Sequence, residues 1–229
     1  MCTVTFVPLP DGAVITSNRD EQPGRAASAP RFHDHNGRSI AFPKEPKAGG
    51  TWFAADADGN AIVLLNGAFE KHVWNPPYKK SRGLVLLDLF TDEDPAEHWD
   101  HVDLEGVEPF TIILFYNKTL VKLVWDGLAK HQITLNPGDA YIWSSSPLYG
   151  QVQRDERAQY FAGFVSQPVD APMMLEFHQG KSVAGREGFI IDRGFLRTVS
   201  ITQWVLQNAQ TAFTHIDLIA GEKHNFKIR

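Results

Sequence analysis

Polar and apolar residues alternate in two runs near the start of the chain, CTVTFVP and AVITSNR, and LPDG between them carries the Pro and Asp-Gly signals of a tight turn. The pattern predicts a β-hairpin. With the turn centred near Asp11 and Gly12, paired residues have numbers summing to about 22 or 23, which sets Cys2 opposite Asp20 or Glu21. Alternation then groups Asn18 with Asp20 on one face and Arg19 with Glu21 on the other. Which group shares the face of Cys2 turns on a single residue of register. The expectation carried forward is that Asn18 and Asp20 line the cavity of Cys2, with Asn66 reaching it from a neighbouring strand.

Residues 22–50 are rich in Pro, Gly, Ser and Ala with little periodicity, and read mostly as a loop over the surface or beside a site. A second hairpin follows, TWFAAD and AIVLLNG about ADGN, whose second strand is apolar on both faces up to Asn66 and is therefore covered on both sides. Ser81 caps a helix through GLVLLDLF, and Asp94, Pro95 and Glu97 open another, PAEHWDHV. Strands return as FTIILFY and LVKLVWDG about NKT, then HQITL and AYIWSSS about NPGD. Two helical stretches, RDERAQYFAGFVS and APMMLEFHQ, precede a closing hairpin, VSITQWVLQ with AFTHIDLI. This order predicts an α+β fold of mainly antiparallel sheet with helices packed outside, one domain over residues 1–229.

Composition narrows the partners. With 43% hydrophobic and 21% charged residues, the 229-residue chain can bury a sizeable core. Its net charge of -5, with Lys and Arg scattered, argues against nucleic acid. No run of about eighteen apolar residues and no leader pattern is visible, so membrane insertion is not expected and a cytoplasmic protein is. A single cysteine excludes an internal disulfide and a multi-cysteine zinc site. His33 and His35 on a polar loop, and His98 and His101 on a helix, lack a third spaced ligand, so neither metal nor cofactor is expected. The partner is a small-molecule substrate or ligand.

Cys2 has two readings. Removal of Met1 would leave one residue bearing a thiol and an α-amine, a nucleophile and a base whose ordinary pKa values, about 8.5 and about 8, make proton transfer between them easy. Alternatively Cys2 is a small buried apolar side chain. The run Asn18, Arg19, Asp20, Glu21 is costly to desolvate unless its charges pair or serve a ligand, and inexpensive on a solvated edge. In the catalytic reading Asp20 accepts from the α-ammonium or orients the thiol, and Arg19 binds a carboxylate or balances the acids. Asn66, before Gly67, either donates to an oxyanion or simply forms a turn.

A chain opening MCTVTF, continuing to TSNRDE, then GGTWF and LLNG, with LRTVSIT later, resembles the NRDE family, also called the transport and Golgi organisation protein 2 family. The resemblance implies the fold of N-terminal nucleophile hydrolases, a four-layer αββα sandwich of antiparallel sheets. It implies, from the branch that cleaves amides of bile acids and penicillin V, a nucleophilic Cys2, with Asn18 and Asp20 matching that branch's RNxD segment and Asn66 matching a later oxyanion-hole Asn. Two departures stand out. Ser17 occupies the place of that branch's Arg, with Arg19 displaced by two positions, and Ser145 falls near a later Asn. The family's connection with secretory organisation, lipid handling and haem traffic implies an alternative: a noncatalytic small-molecule carrier on the same scaffold.

Overall fold

The computed structural model describes residues 2–180 and 188–228, which group into two compact units. In chain order the strands are β1 (Cys2–Leu9), β2 (Gly12–Glu21), β3 (Arg31–His35), β4 (Arg38–Phe42), β5 (Phe53–Ala55), β6 (Ala61–Asn66), β7 (Phe110–Tyr116), β8 (Thr119–Trp125), β9 (Lys130–Leu135), β10 (Tyr141–Ser144), β11 (Arg197–Gln207), β12 (Gln210–Asp217) and β13 (Glu222–Lys227). The helices are α1 (Arg82–Phe90), α2 (Pro95–His98), α3 (Gln151–Phe164) and α4 (Ala171–His178). The architecture is α+β, as expected.

The first unit holds one antiparallel sheet, ordered β10-β1-β2-β11-β12-β13, with α3 and α4 on one face. Val7, Leu9 and Val14 from the sheet pack there against Phe161 of α3 and Met174 and Phe177 of α4. The outer strand β13 alternates Lys223, Asn225 and Lys227, all exposed, with half-buried His224 and Phe226.

The second unit holds the sheet β3-β4-β5-β6-β7-β8-β9, also antiparallel. Ile62 and Leu64 of β6, with Ile112 and Leu114 of β7, project to one side by alternation and meet Leu86, Leu89 and Phe90 of α1. Ser81 caps α1 as expected, its Oγ accepting from the Leu84 N–H. Asp94 caps α2, and the helical stretch ends in a 3-10 turn at Trp99–His101.

Four sequence expectations need correction. Residues 31–42 are a hairpin rather than loop, turning at Asn36 and Gly37 with φ of 51° and 77°, the pair of positive values a two-residue type I′ turn requires. HQITL and AYIWSSS do not pair: β9 edges one sheet and β10 the other. β13, polar at most of its positions, was not expected. The first hairpin is shifted by one residue, because Leu9 pairs with Gly12 and the turn is Pro10–Asp11. Proline's fixed φ suits the first central position of such a turn. Gly12 belongs to the strand, where a Cβ would lie 1.9 Å from the Leu206 carbonyl oxygen of β11.

Candidate functional site

The register decides the neighbours of Cys2. Cys2 lies directly opposite Arg19, Thr3 opposite Asn18 and Val4 opposite Ser17. Directly opposed residues of an antiparallel pair project to one face and successive residues alternate. Cys2, Ser17 and Arg19 therefore share one face, and Thr3, Thr5 and Asn18 share the other, where the helices pack. Contacts agree: Thr3 and Thr5 bond to α3 and α4 through Arg157 and His178. The expectation that Asn18 and Asp20 share the face of Cys2 is thereby overturned, by the one-residue shift of the turn.

Cys2 is a free thiol with 2% exposure. Burial pushes its pKa up; Asp20 and Glu21 push the same way, and Arg19 pulls it down. Arg19, itself buried, donates from Nη1 to the Arg25 carbonyl at 2.7 Å and stands 3.9 Å from Glu21. Glu21 in turn accepts the Gln22 N–H and holds Arg25 at 3.3 Å.

Asp20 is fully buried on the helix side. Its Oδ1 accepts from Thr198 Oγ1 at 2.7 Å and its Oδ2 from the Tyr149 hydroxyl at 3.3 Å. Burial raises its pKa to about 6, against these two bonds and the charge of Arg157, which lower it. Arg157 is held by Thr3 Oγ1 at 3.0 Å and the Gly188 carbonyl at 2.8 Å, with its guanidinium 4.0 Å from the Tyr149 ring centre. A buried carboxylate, a buried guanidinium and the aromatic ring between them form one polar cluster.

Asn18 is saturated. Its Nδ2 donates to the carbonyls of His178 at 3.0 Å and Phe189 at 2.7 Å, so its Oδ1 accepts, and the partner at 2.5 Å is His178 Nδ1. That assigns the proton to Nδ1 and leaves Nε2 to accept from the Thr5 hydroxyl at 2.8 Å. His178 is neutral, its pKa pushed down to about 3 by burial and then by Arg157. Asn18 thus clamps the end of α4 and Phe189 to β2.

On β11 the residues Thr198, Ser200 and Thr202 alternate and read as a single polar face. A β-bulge between Thr198 and Ser200 splits them. Thr198 faces Asp20 on the helix side, while Ser200 lies opposite Arg19 and Thr202 opposite Ser17. Next along, Thr202 bonds His215 Nδ1 at 2.8 Å, and burial lowers the His215 pKa to about 4.

Asn66 ends β6 in the second unit, and its side chain makes no hydrogen bond among the described residues. Its backbone carbonyl accepts from Ser145 Oγ at 2.6 Å. Gly67 has φ of 82°, and a Cβ there would lie 2.3 Å from Pro147 Cδ, so only glycine fits after Asn66. Among the described residues no acidic, His or Cys cluster has the arrangement of a metal site. His33 stacks on Phe42 at 4.2 Å and His35 bonds Asp88 at 2.7 Å. No described helix is long and apolar enough to cross a membrane.

Sequence reasoning missed Tyr149, Arg157 and His178. The only available hint for Thr198 was its place in LRTVSIT, which the fold sets directly across from NRDE.

Residues 1–161 match the family described as Transport and Golgi organisation 2. No curated protein matches the chain. Among solved structures, an N-acylethanolamine-hydrolyzing acid amidase ortholog of Caenorhabditis elegans is similar at 13% identity and TM-score 0.54, over 91% of this chain and 95% of that one. The C2A mutant of the conjugated bile acid hydrolase from Clostridium perfringens is similar at 11% identity and TM-score 0.53, over 100% and 97%. Another variant of that hydrolase gives 12% identity and TM-score 0.54, over 100% and 97%. At such identities the likeness is one of fold, and the fold is that of N-terminal nucleophile hydrolases.

Proposed function

The chain belongs to the Transport and Golgi organisation 2 family, and we propose that it is an N-terminal cysteine hydrolase of a nonpeptide amide or thioester, with Cys2 as nucleophile after removal of Met1. The observation that carries this reading is the pairing of Cys2 with Arg19 on one buried face. Burial raises the thiol pKa, and a guanidinium across the strand pair pulls it back toward thiolate. The fold-level likeness to amide-cleaving proteins supports the same reaction class.

In the proposed reaction the Cys2 thiol passes its proton to the freed α-amine. The thiolate attacks the substrate carbonyl, the carbon–nitrogen or carbon–sulfur bond breaks, and the proton leaves with the amine or thiol. Water then cleaves the thioester on Cys2, releasing the acid and restoring the thiol. Asp20 does not address the thiol, being on the other face; its proposed part is to accept from the α-ammonium of residue 2. Asn18 is a positioning residue. Asn66 keeps its proposed part in oxyanion binding on the strength of its unengaged amide.

A second reading, a noncatalytic small-molecule carrier, is favoured by the raised thiol pKa. Intact mass separates the two. Untagged protein should lose Met1, form an acyl adduct with N-acyl amino acids or acyl thioesters, and clear it with time; Cys2→Ser slows the step and Cys2→Ala abolishes it. Retained Met1, or binding that survives Cys2→Ala with no adduct on the wild type, sinks the hydrolase and supports the carrier.

A further inference from the structure

The register puts two loops at one end of the second sheet. Asn66 pairs with Phe110, Phe110 with Trp125 and Trp125 with Lys130, so these four residues form one row across β6, β7, β8 and β9. The segment after Asn66 and the connection from β8 to β9 both leave from that row. The first carries Val73 and Trp74, which are 87% and 71% exposed, and the second carries Leu128, which is 93% exposed. Single apolar residues scattered over a surface are ordinary; three this exposed on loops leaving from one row are not.

Both loops are held in place. The Gly67 N–H donates to the Pro109 carbonyl and the Lys79 N–H to the Gly106 carbonyl, each at 2.9 Å, which fixes the longer loop at both ends. Between those ends Ser146 Oγ donates to the Glu70 carbonyl at 3.0 Å, His72 Nε2 bonds Glu108 at 3.0 Å, and the Asn75 N–H donates to the Tyr78 hydroxyl at 2.8 Å. Phe69 packs edge-on against His131 of β9 at 5.0 Å. In the shorter loop Asp126 Oδ1 accepts from the N–H groups of Leu128 and Ala129, both at 2.7 Å. The exposed side chains are thus presented by fixed backbone, and docking them costs little further loop entropy.

We propose that this end of the second unit docks on the surface of a zwitterionic phospholipid bilayer, with Val73, Trp74 and Leu128 seated at the boundary of headgroups and acyl chains. Size argues for lipid over a protein partner. A whole Trp side chain offers at most about 250 Å², and a stable protein interface takes roughly 800 Å² from each side. One Trp with two aliphatic side chains falls short of that. At such exposure each of the three stands almost clear of the fold, and a fluid interface moulds itself around separate knobs where a protein surface would need them contiguous. Trp is also the side chain that settles best at the headgroup level.

Charge selects the kind of lipid. Lys79 stands 3.5 Å from Glu105 and Arg82 3.0 Å from Glu108, Lys80 pairs with Asp88, and Lys130 Nζ donates to the Asp100 carbonyl. With these cations already engaged and a net charge of -5 on the whole chain, the docking is apolar in origin and gains nothing from an anionic leaflet. The contact is peripheral, no described helix being long and apolar enough to cross. It requires no turnover at Cys2.

The test is co-sedimentation of the full chain with sucrose-loaded vesicles of phosphatidylcholine, alone or with one third phosphatidylserine, at low and high salt. The protein should pellet with phosphatidylcholine, no better with phosphatidylserine present, and salt should not release it. The double variant Val73→Ser, Trp74→Ser should lower the partition coefficient at least about tenfold and Leu128→Ser about threefold, while Val152→Ser, an exposed position on α3, changes nothing. All four positions face solvent, so folding is retained and is checked by circular dichroism. Any of the following overturns the proposal: no pelleting with phosphatidylcholine, pelleting that survives the double variant, an equal loss in Val152→Ser, or pelleting that needs phosphatidylserine and is reversed by salt. A wild-type dimer in velocity sedimentation that the double variant dissolves also overturns it, by giving these side chains to a second copy of the chain.

Discussion

Cys2 stands directly opposite Arg19 across the first hairpin, so one buried thiol and one buried guanidinium occupy the same face of the sheet. Asp20, one residue further along, points to the other face and into a cluster with Tyr149, Arg157 and Thr198. Consecutive residues of one motif thus act on different sides of a strand. The thiol senses both by charge, Arg19 lowering its pKa and Asp20 raising it.

That opposition predicts two variants with contrary effects on Cys2. Arg19→Met should slow alkylation of the thiol by iodoacetamide near pH 8, and Asp20→Asn should speed it. Each pKa unit corresponds to about a tenfold change in thiolate while the thiol remains mostly protonated. Mass spectrometry of timed aliquots gives both rates; movement in the same direction contradicts the arrangement.

Acid should destabilise the protein more steeply once Asp20 is neutralised. His178 and His215, with folded pKa values of about 3 and about 4, bind fewer protons than in the unfolded chain, so their stabilisation is lost as pH falls below the usual His value of about 6.5. Asp20, at about 6 when folded, binds more protons than when unfolded and offsets part of that loss between about pH 6 and 4. From pH 6.5 to 4.5 the net loss from these three groups is about 3 kcal/mol, and about 5 kcal/mol in Asp20→Asn. Urea unfolding at the two pH values checks the difference; an unchanged slope in the variant would count against the burial of Asp20.

Arg157→Met should cost roughly 2–3 kcal/mol, because it frees Thr3 and the buried Gly188 carbonyl and removes a positive charge that helps keep Asp20 ionised. The Asp20 pKa should climb above about 6. Chemical denaturation reads the first effect and carboxyl NMR titration the second.

Gly12→Ala should destabilise by about 3 kcal/mol or more, since its Cβ would sit 1.9 Å from the Leu206 oxygen in the adjoining strand. Gly24 is the control, with nothing among the described residues within 4 Å of an added Cβ. Thermal melts of Gly12→Ala and Gly24→Ala should differ sharply; similar melting temperatures would mean that β2 and β11 are not so close.

Local signals carried most of the fold. The presence of the first hairpin, the apolar run of β6 and the Ser81 cap are all decided within a few residues and were legible, while the hairpin's turn lies one residue earlier than expected. The Asn36-Gly37 turn was equally local, but the Pro and Gly around it obscured its flanking strands. What sequence lacked was tertiary. Ser200 and Thr198 look equivalent until a bulge separates them, and Tyr149, Arg157 and His178 meet β1 and β2 from well over 100 residues away. No periodicity encodes such meetings. The register of Cys2 was limited in a different way, because a single residue of turn placement reverses every face assignment.

The outer strand β13 ends its sheet with its backbone available to a further strand, and Lys223 and Lys227 lie on that margin. A second copy aligning there would bring like charges together and desolvate them, so growth of the sheet from molecule to molecule is opposed by electrostatics rather than by a covering helix. That protection weakens with ionic strength. The chain therefore tolerates crowding best in dilute salt, where lysines on the margins of two copies repel most strongly.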